Sequence, residues 1–163
     1  MSSVDIELFK AQKADKVAIQ IGKSHLQALL NTSIPEGWPQ FPEAFDPSNE
    51  ESTAWPSYFI LCPSEHALVG NGGFAGPPSE TGEVEIGYEI APQFENRGFA
   101  TAAVKEMLKY AFSQPEVQAV VAHTLAEENA SNAVLRKAGL SFVAEVPNPE
   151  VGSVWRWRIS RNV

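Results

Sequence analysis

FENRGFATAAV, residues 94–104, is the stretch on which the fold turns. Gly98 and Ala100 stand two positions apart, directly ahead of a run whose apolar residues fall in pairs: Phe99/Ala100, Ala103/Val104, Met107/Leu108 and Ala111/Phe112. A repeat of four draws one continuous apolar stripe along a helix, and Pro115 ends it. Just upstream, EVEIGYEI (83–90) alternates Val84, Ile86, Tyr88 and Ile90 on one face with Glu83, Glu85, Gly87 and Glu89 on the other, the period-two pattern of a strand. A strand that passes through a tight glycine turn into a helix aims unsatisfied backbone N–H groups and the positive end of the helix dipole at one spot. Such a spot binds anions. Gly98 suits it, because a residue without a Cβ lets the main chain come close to a phosphate and adopts φ values barred to others; Arg97 adds a positive charge. The turn is not a dinucleotide fingerprint, since GxGxxG is absent and the strand ends at Pro92, nor a P-loop, since no GK[ST] follows.

Outward from this centre the chain alternates strands and helices. VDIELF (4–9) predicts a half-buried first strand, and Val17, Ile21, Leu26, Leu29 and Leu30 predict one or two helices between about Ala14 and Leu30, with Gly22 as a break. Residues 31–57 carry five prolines, two tryptophans and two phenylalanines and fit neither period. Long irregular segments of this kind are usually functional or disordered, and the aromatic content argues against disorder. Trp38, Phe41 and Trp55 are therefore expected either to line an acceptor pocket or to pin the loop to the body, with the length of the loop favouring the pocket. YFILC (58–62) and HALVGNGGFAG (66–76) read as strands, with GPPSETGE as a hairpin loop after them. Downstream of Pro115, VQAVVAHTL (117–125) reads as a more buried strand, ASNAVLRKAGL as a short helix capped by Gly139, and FVAEV and VWRWRIS as two closing strands. No internal repeat and no linker divides residues 1–163, which reads as one domain.

Composition narrows the function classes. With 163 residues and 17.7 kDa the chain can bury a core without disulfides or structural metal. A single cysteine, Cys62, and the absence of Cys/His clusters at zinc spacing fit a reducing compartment. The N-terminus carries an early acidic residue and no apolar core of a signal peptide, and no segment reaches spanning length, so a soluble cytoplasmic protein without a membrane partner is expected. Twenty acidic residues against twelve Lys plus Arg give a net charge of −8. That balance repels nucleic acid and favours a cationic partner such as an amine, although acidity also serves solubility.

The ordered features resemble the GCN5-related N-acetyltransferase (GNAT) superfamily. EIGYEIAPQFENRGFATAAV is similar to its strand, turn and helix that hold coenzyme A, and VVAHTLAEENASNAVLRKAGLSF to the strand and helix that follow. VWRWRIS is similar to the closing strand of the branch that acetylates N-terminal serine or alanine of ribosomal proteins. The resemblance implies a mixed α+β fold with a central, mostly antiparallel twisted sheet flanked by helices. It also implies acetyl-CoA as cosubstrate, a primary amine as acceptor, no metal, and room for a homodimer. The signature [QR]-x-x-G-x-[GA] falls on Glu95 to Ala100, so that Glu95 departs from the pattern. Because the family holds the diphosphate mainly by backbone amides, Glu95 is expected to point away, helped by Arg97.

The same resemblance assigns the diphosphate to Asn96, Arg97, Gly98, Phe99, Ala100 and Thr101, with the Thr101 hydroxyl as an added donor, and the pantetheine arm to the main chain of Ile90. Asn129 and Ser131 are each expected either to cap a helix or to touch the cofactor. Direct attack by an amine on the thioester needs a base for the amine and a donor for the leaving thiolate. Glu83 and Glu85, on one strand face, are the candidate relays, with Glu85 preferred. The family's tyrosine acid aligns with Leu135, and Ser131 is the expected substitute. His66 and His123 receive no role, since lone histidines in strands are usually structural. Two rivals remain open: a non-catalytic acyl-CoA sensor, and a generic phosphate-binding domain.

Overall fold

A computed structural model describes residues 5–11, 15, 23–36, 38–39, 55, 57–127 and 129–161. The expectations that rest on Val17, Ile21, Gly22 and Phe41 lie outside the described residues. The described elements run in the order β1 (Glu7–Lys10), α1 (Lys23–Leu30), β2 (Ser57–Cys62), β3 (Ala67–Phe74), β4 (Glu83–Ile90), α2 (Phe99–Ser113), β5 (Ala119–Leu125), α3 (Ala130–Ala138), β6 (Ser141–Asn148) and β7 (Gly152–Ser160). They build a seven-stranded sheet of order β1-β2-β3-β4-β5-β7-β6. All neighbours are antiparallel except β4 and β5. That one parallel pair requires a crossover, which α2 supplies. The expected mixed, mostly antiparallel sheet with flanking helices is the observed architecture.

The apolar stripe read from the sequence is the face that α2 buries. Val104, Met107, Leu108 and Ala111 join Val84, Ile86, Val120, Leu135 and Trp157 in one core cluster beneath α2 and α3. Phe99 and Ala103 extend the same face onto Ile60 and Val69. A third cluster joins Leu26 of α1 to Trp38, Phe59 and Leu68, so the β2–β3 region is covered on both faces. Trp38 is 1 % exposed, and its indole Nε1 donates to Asn71 Oδ1 at 2.7 Å. Trp55 is 4 % exposed and stacks edge-on against Phe74 and Tyr110. These two loop aromatics pin the chain to the body, which corrects the expectation of a pocket lining: the area a buried indole removes from water holds it in the core.

The ends of α2 and α3 follow from local chemistry. Gly139 closes α3 in the left-handed region (φ 103°), its N–H bonded to Arg136 O, as read from the sequence. At the far end of α2, Arg161 donates to the carbonyls of Val117 (2.8 Å), Phe112 (3.0 Å) and Gln114 (2.7 Å). A guanidinium there answers both the orphan carbonyls and the negative end of the dipole. His66 does not begin a strand as expected; it sits after a short 3-10 turn at φ 49°.

Candidate active site

The site originates in an incomplete strand pairing. β4 and β5 pair at Glu83↔Ala119, Val84↔Val120 and Glu85↔Val121, yet β4 continues to Ile90 and β5 to Leu125. Beyond Glu85 and Val121 the two strands diverge as a fork. β3 still pairs with β4 up to Gly70↔Ile90, so only the fork-facing edge of β4 is left without a strand partner. Such an edge accepts an extended ligand as an added strand.

α2 starts over the mouth of this fork. Gly98 takes φ 87° and the N-cap position, and Asn96 also lies in the left-handed region at φ 62°. Glycine adopts that region at no steric cost and asparagine at little. The carbonyl of Gly98 accepts from Ala102 N at 3.0 Å, leaving the amides of Phe99, Ala100 and Thr101 without partners inside the helix. These residues border a cavity of about 360 Å³ that is also lined by Ile90, Asn96 and Gly98, and on the opposite wall by Ala130, Ser131, Ala133, Val134 and Lys137 of α3. The α3 residues share one helical face. The cavity thus collects Ile90, five of the six diphosphate candidates, and Ser131.

Arg97 is the sixth, and its side chain goes elsewhere. Its guanidinium makes a two-pronged ion pair with Glu65, one arm at 3.3 Å, and lies over the rings of Phe94 and Phe99. The bond to Arg97 holds the Glu65 carboxyl below its ordinary range. Arg97 therefore brings only its backbone near the anion spot. Glu95 is exposed and is one of the residues around the cavity. Among the described lining residues the cationic one is Lys137, reaching in from α3.

Asn129 caps α3: its Oδ1 accepts from Asn132 N at 3.2 Å, and it is not among the lining residues. Behind it, Asn132 is wholly buried, donates to Glu127 O at 2.6 Å and accepts from Thr124 Oγ1 at 2.7 Å, while Trp157 Nε1 donates to Thr124 Oγ1 at 3.0 Å. This network ties α3 to β5 and β7 and fixes the wall that carries Ser131. Tyr88, which the sequence reading placed on the apolar face of β4 and gave no role, also lines the cavity. Its hydroxyl donates to Ser131 O at 3.3 Å, and burial pushes its pKa up to about 12, so the phenol keeps its proton. Leu135 is 0 % exposed and belongs to the core.

The two carboxylates differ. Glu83 accepts from Arg156 at 2.7 Å and from Arg158 at 2.9 Å. Both its oxygens are committed to guanidinium groups, which removes it as a proton relay and makes it a clamp between β4 and β7. Glu85 is exposed and lies 3.3 Å from His123 Nδ1. Both carboxylates stand on the sheet face opposite α2 and are absent from the cavity lining.

The fold agrees with the comparisons. A family profile described as "Acetyltransferase (GNAT) domain" matches residues 11–141, and the chain belongs to the GNAT acetyltransferases. It is 27 % identical over 141 residues to an uncharacterized N-acetyltransferase, YjdG, of Bacillus subtilis (strain 168), covering 85 % of this chain and 83 % of that one. Among solved structures it is similar to RimL, a ribosomal L7/L12 alpha-N-protein acetyltransferase in complex with coenzyme A (TM-score 0.71, 18 % identity, 98 % and 96 % of the two chains). It is likewise similar to AAC(6')-Ib in complex with ribostamycin and coenzyme A (TM-score 0.69, 16 % identity, 96 % and 94 %). The protein is an acyltransferase of this family.

Proposed function

We propose that this chain, as a single domain in the cytoplasm, moves the acetyl group of acetyl-CoA to a primary amine by direct attack within a ternary complex. The observation that carries the reading is the fork between β4 and β5, opening onto a helix start built from two left-handed residues. The diphosphate takes the amides of residues 96–101 and the Thr101 hydroxyl, the pantetheine arm extends along the free edge of β4 at Ile90, and the thioester lies deeper in the fork. Lys137 offers the side-chain cation on the opposite wall. There the hydroxyls of Tyr88 and Ser131 are the donors available to the departing thiolate.

The acceptor is a protein N-terminus or a small amine, since one fold serves both kinds in the relatives above. Release of free thiol from acetyl-CoA, measured with a peptide bearing an N-terminal serine, with spermidine and with ribostamycin, tests this. Turnover with one class and not the others identifies the acceptor.

A second reading, an acyl-CoA sensor without turnover, draws support from two observations: a buried Leu135 stands where the family's tyrosine acid would, and Glu95 lies at the cavity. Tight coenzyme A binding with no thiol release on any amine would favour it.

A further inference from the structure

We propose that His123 is the base that takes the proton from the attacking amine, with Glu85 as its positioning residue. This rests on the acetyl-transfer reading above and assigns a residue that reading leaves unassigned. Once the cosubstrate fills the fork from the helix side, the thioester carbon is open to a nucleophile from the other face of the sheet. At the crotch of the fork that face is made by Glu85, Gly87 and His123, all exposed. A Cβ added at Gly87 would meet no atom within 4 Å, so the approach beside it is clear. Glu85 is the last residue of β4 paired to β5, and His123 is the next residue of β5 pointing the same way. Its imidazole Nδ1 lies 3.3 Å from Glu85 Oε2. A carboxylate there fixes the Nδ1–H tautomer and leaves Nε2 as the acceptor.

Among the described residues, the charged groups that β7 brings beside the imidazole are engaged with Glu83. Arg156 stands directly across from His123 on β7, and with Arg158 it binds Glu83, so that Glu85 is the carboxylate left for the histidine. In the step itself the amine lone pair forms the C–N bond at the carbonyl carbon. The ammonium proton of the tetrahedral adduct passes to His123 Nε2 and from there to solvent, the C–S bond breaks, and the sulfur leaves with its bonding pair and takes the proton of the Tyr88 hydroxyl, which solvent replaces, to give the free thiol.

The test compares wild type with His123→Gln, His123→Asn, Glu85→Gln and Glu85→Asp, using acetyl-CoA with each of the three amines named above. Coenzyme A affinity and thermal melting are measured alongside. The proposal expects both histidine variants to lower kcat/KM about a hundredfold or more and to abolish the acidic limb of its pH profile. Coenzyme A affinity stays within about twofold of wild type. Glu85→Gln lowers kcat about tenfold, and Glu85→Asp restores most of that loss. Histidine variants that keep kcat/KM within about threefold and the same acidic limb overturn the assignment while leaving acetyl transfer intact. Wild type that binds coenzyme A yet acetylates none of the amines overturns the transfer reading, and the base falls with it.

Discussion

At the scale of single residues, Gly98 decides whether the helix start can hold a diphosphate. At φ 87° any β-branched residue is strained by about 1–3 kcal/mol, and its side chain occupies the space beside the amides of α2. Gly98→Val is expected to weaken coenzyme A binding by more than about tenfold, or about 1.4 kcal/mol, in a protein that still melts cooperatively; calorimetric titration measures it. Tyr88 makes a separate claim on catalysis. Because burial holds its pKa at about 12, the phenol stays protonated across the neutral range and can donate to sulfur. Tyr88→Phe is expected to lower kcat about a hundredfold while the KM for acetyl-CoA changes little, read from steady-state thiol release. The glycine was legible in the sequence, since turn chemistry is local. The tyrosine was not, because alternation along a strand says which face a side chain takes but not that the strand beside it has parted. Arg97 was misread for a related reason: its partner Glu65 lies 32 residues away, and an ion pair across that separation leaves no local pattern.

At the scale of elements, sequence periodicity delivered most of the fold. The pairs from Phe99 to Phe112 gave α2, the alternation from Glu83 to Ile90 gave β4, and Gly139 gave the end of α3, because each signal lies within a few turns of backbone. The fork itself was invisible. Pairing between parallel strands is decided by the helices packed across them, and nothing in EVEIGYEI marks Glu85 as the last paired residue. The loop tryptophans were similarly undecided by sequence, since an indole suits a pocket and a core equally until its neighbours are known. Arg161 shows what holds α2 over the fork. Its three bonds to the carbonyls of Phe112, Gln114 and Val117 are charge-assisted. Arg161→Ala is expected to destabilise the protein by about 1.5–3 kcal/mol. Urea unfolding checks the magnitude, and because the cap lies at the opposite end of α2 from Gly98, coenzyme A affinity should change little.

At the scale of the molecule, a net charge of −8 and a polyanionic cosubstrate repel each other, so binding depends on local geometry overcoming a general field. The local terms are the amides at the start of α2, Lys137 across the cavity, and the free edge of β4. A ligand that uses all three bridges β4, α2 and α3, and closes a gap that the sheet leaves open. By linkage, coenzyme A at about a hundred times its dissociation constant adds about 2.7 kcal/mol, which for a chain of this size raises the melting temperature by about 5–10 °C. ATP brings phosphates to the same helix start but has no pantetheine arm to lie along β4. It is therefore expected to raise the melting temperature much less at equal concentration, and differential scanning fluorimetry compares the two directly. Equal shifts from both ligands would mean that the helix start alone supplies the affinity, as in a generic phosphate-binding domain, and that the fork contributes nothing to recognition.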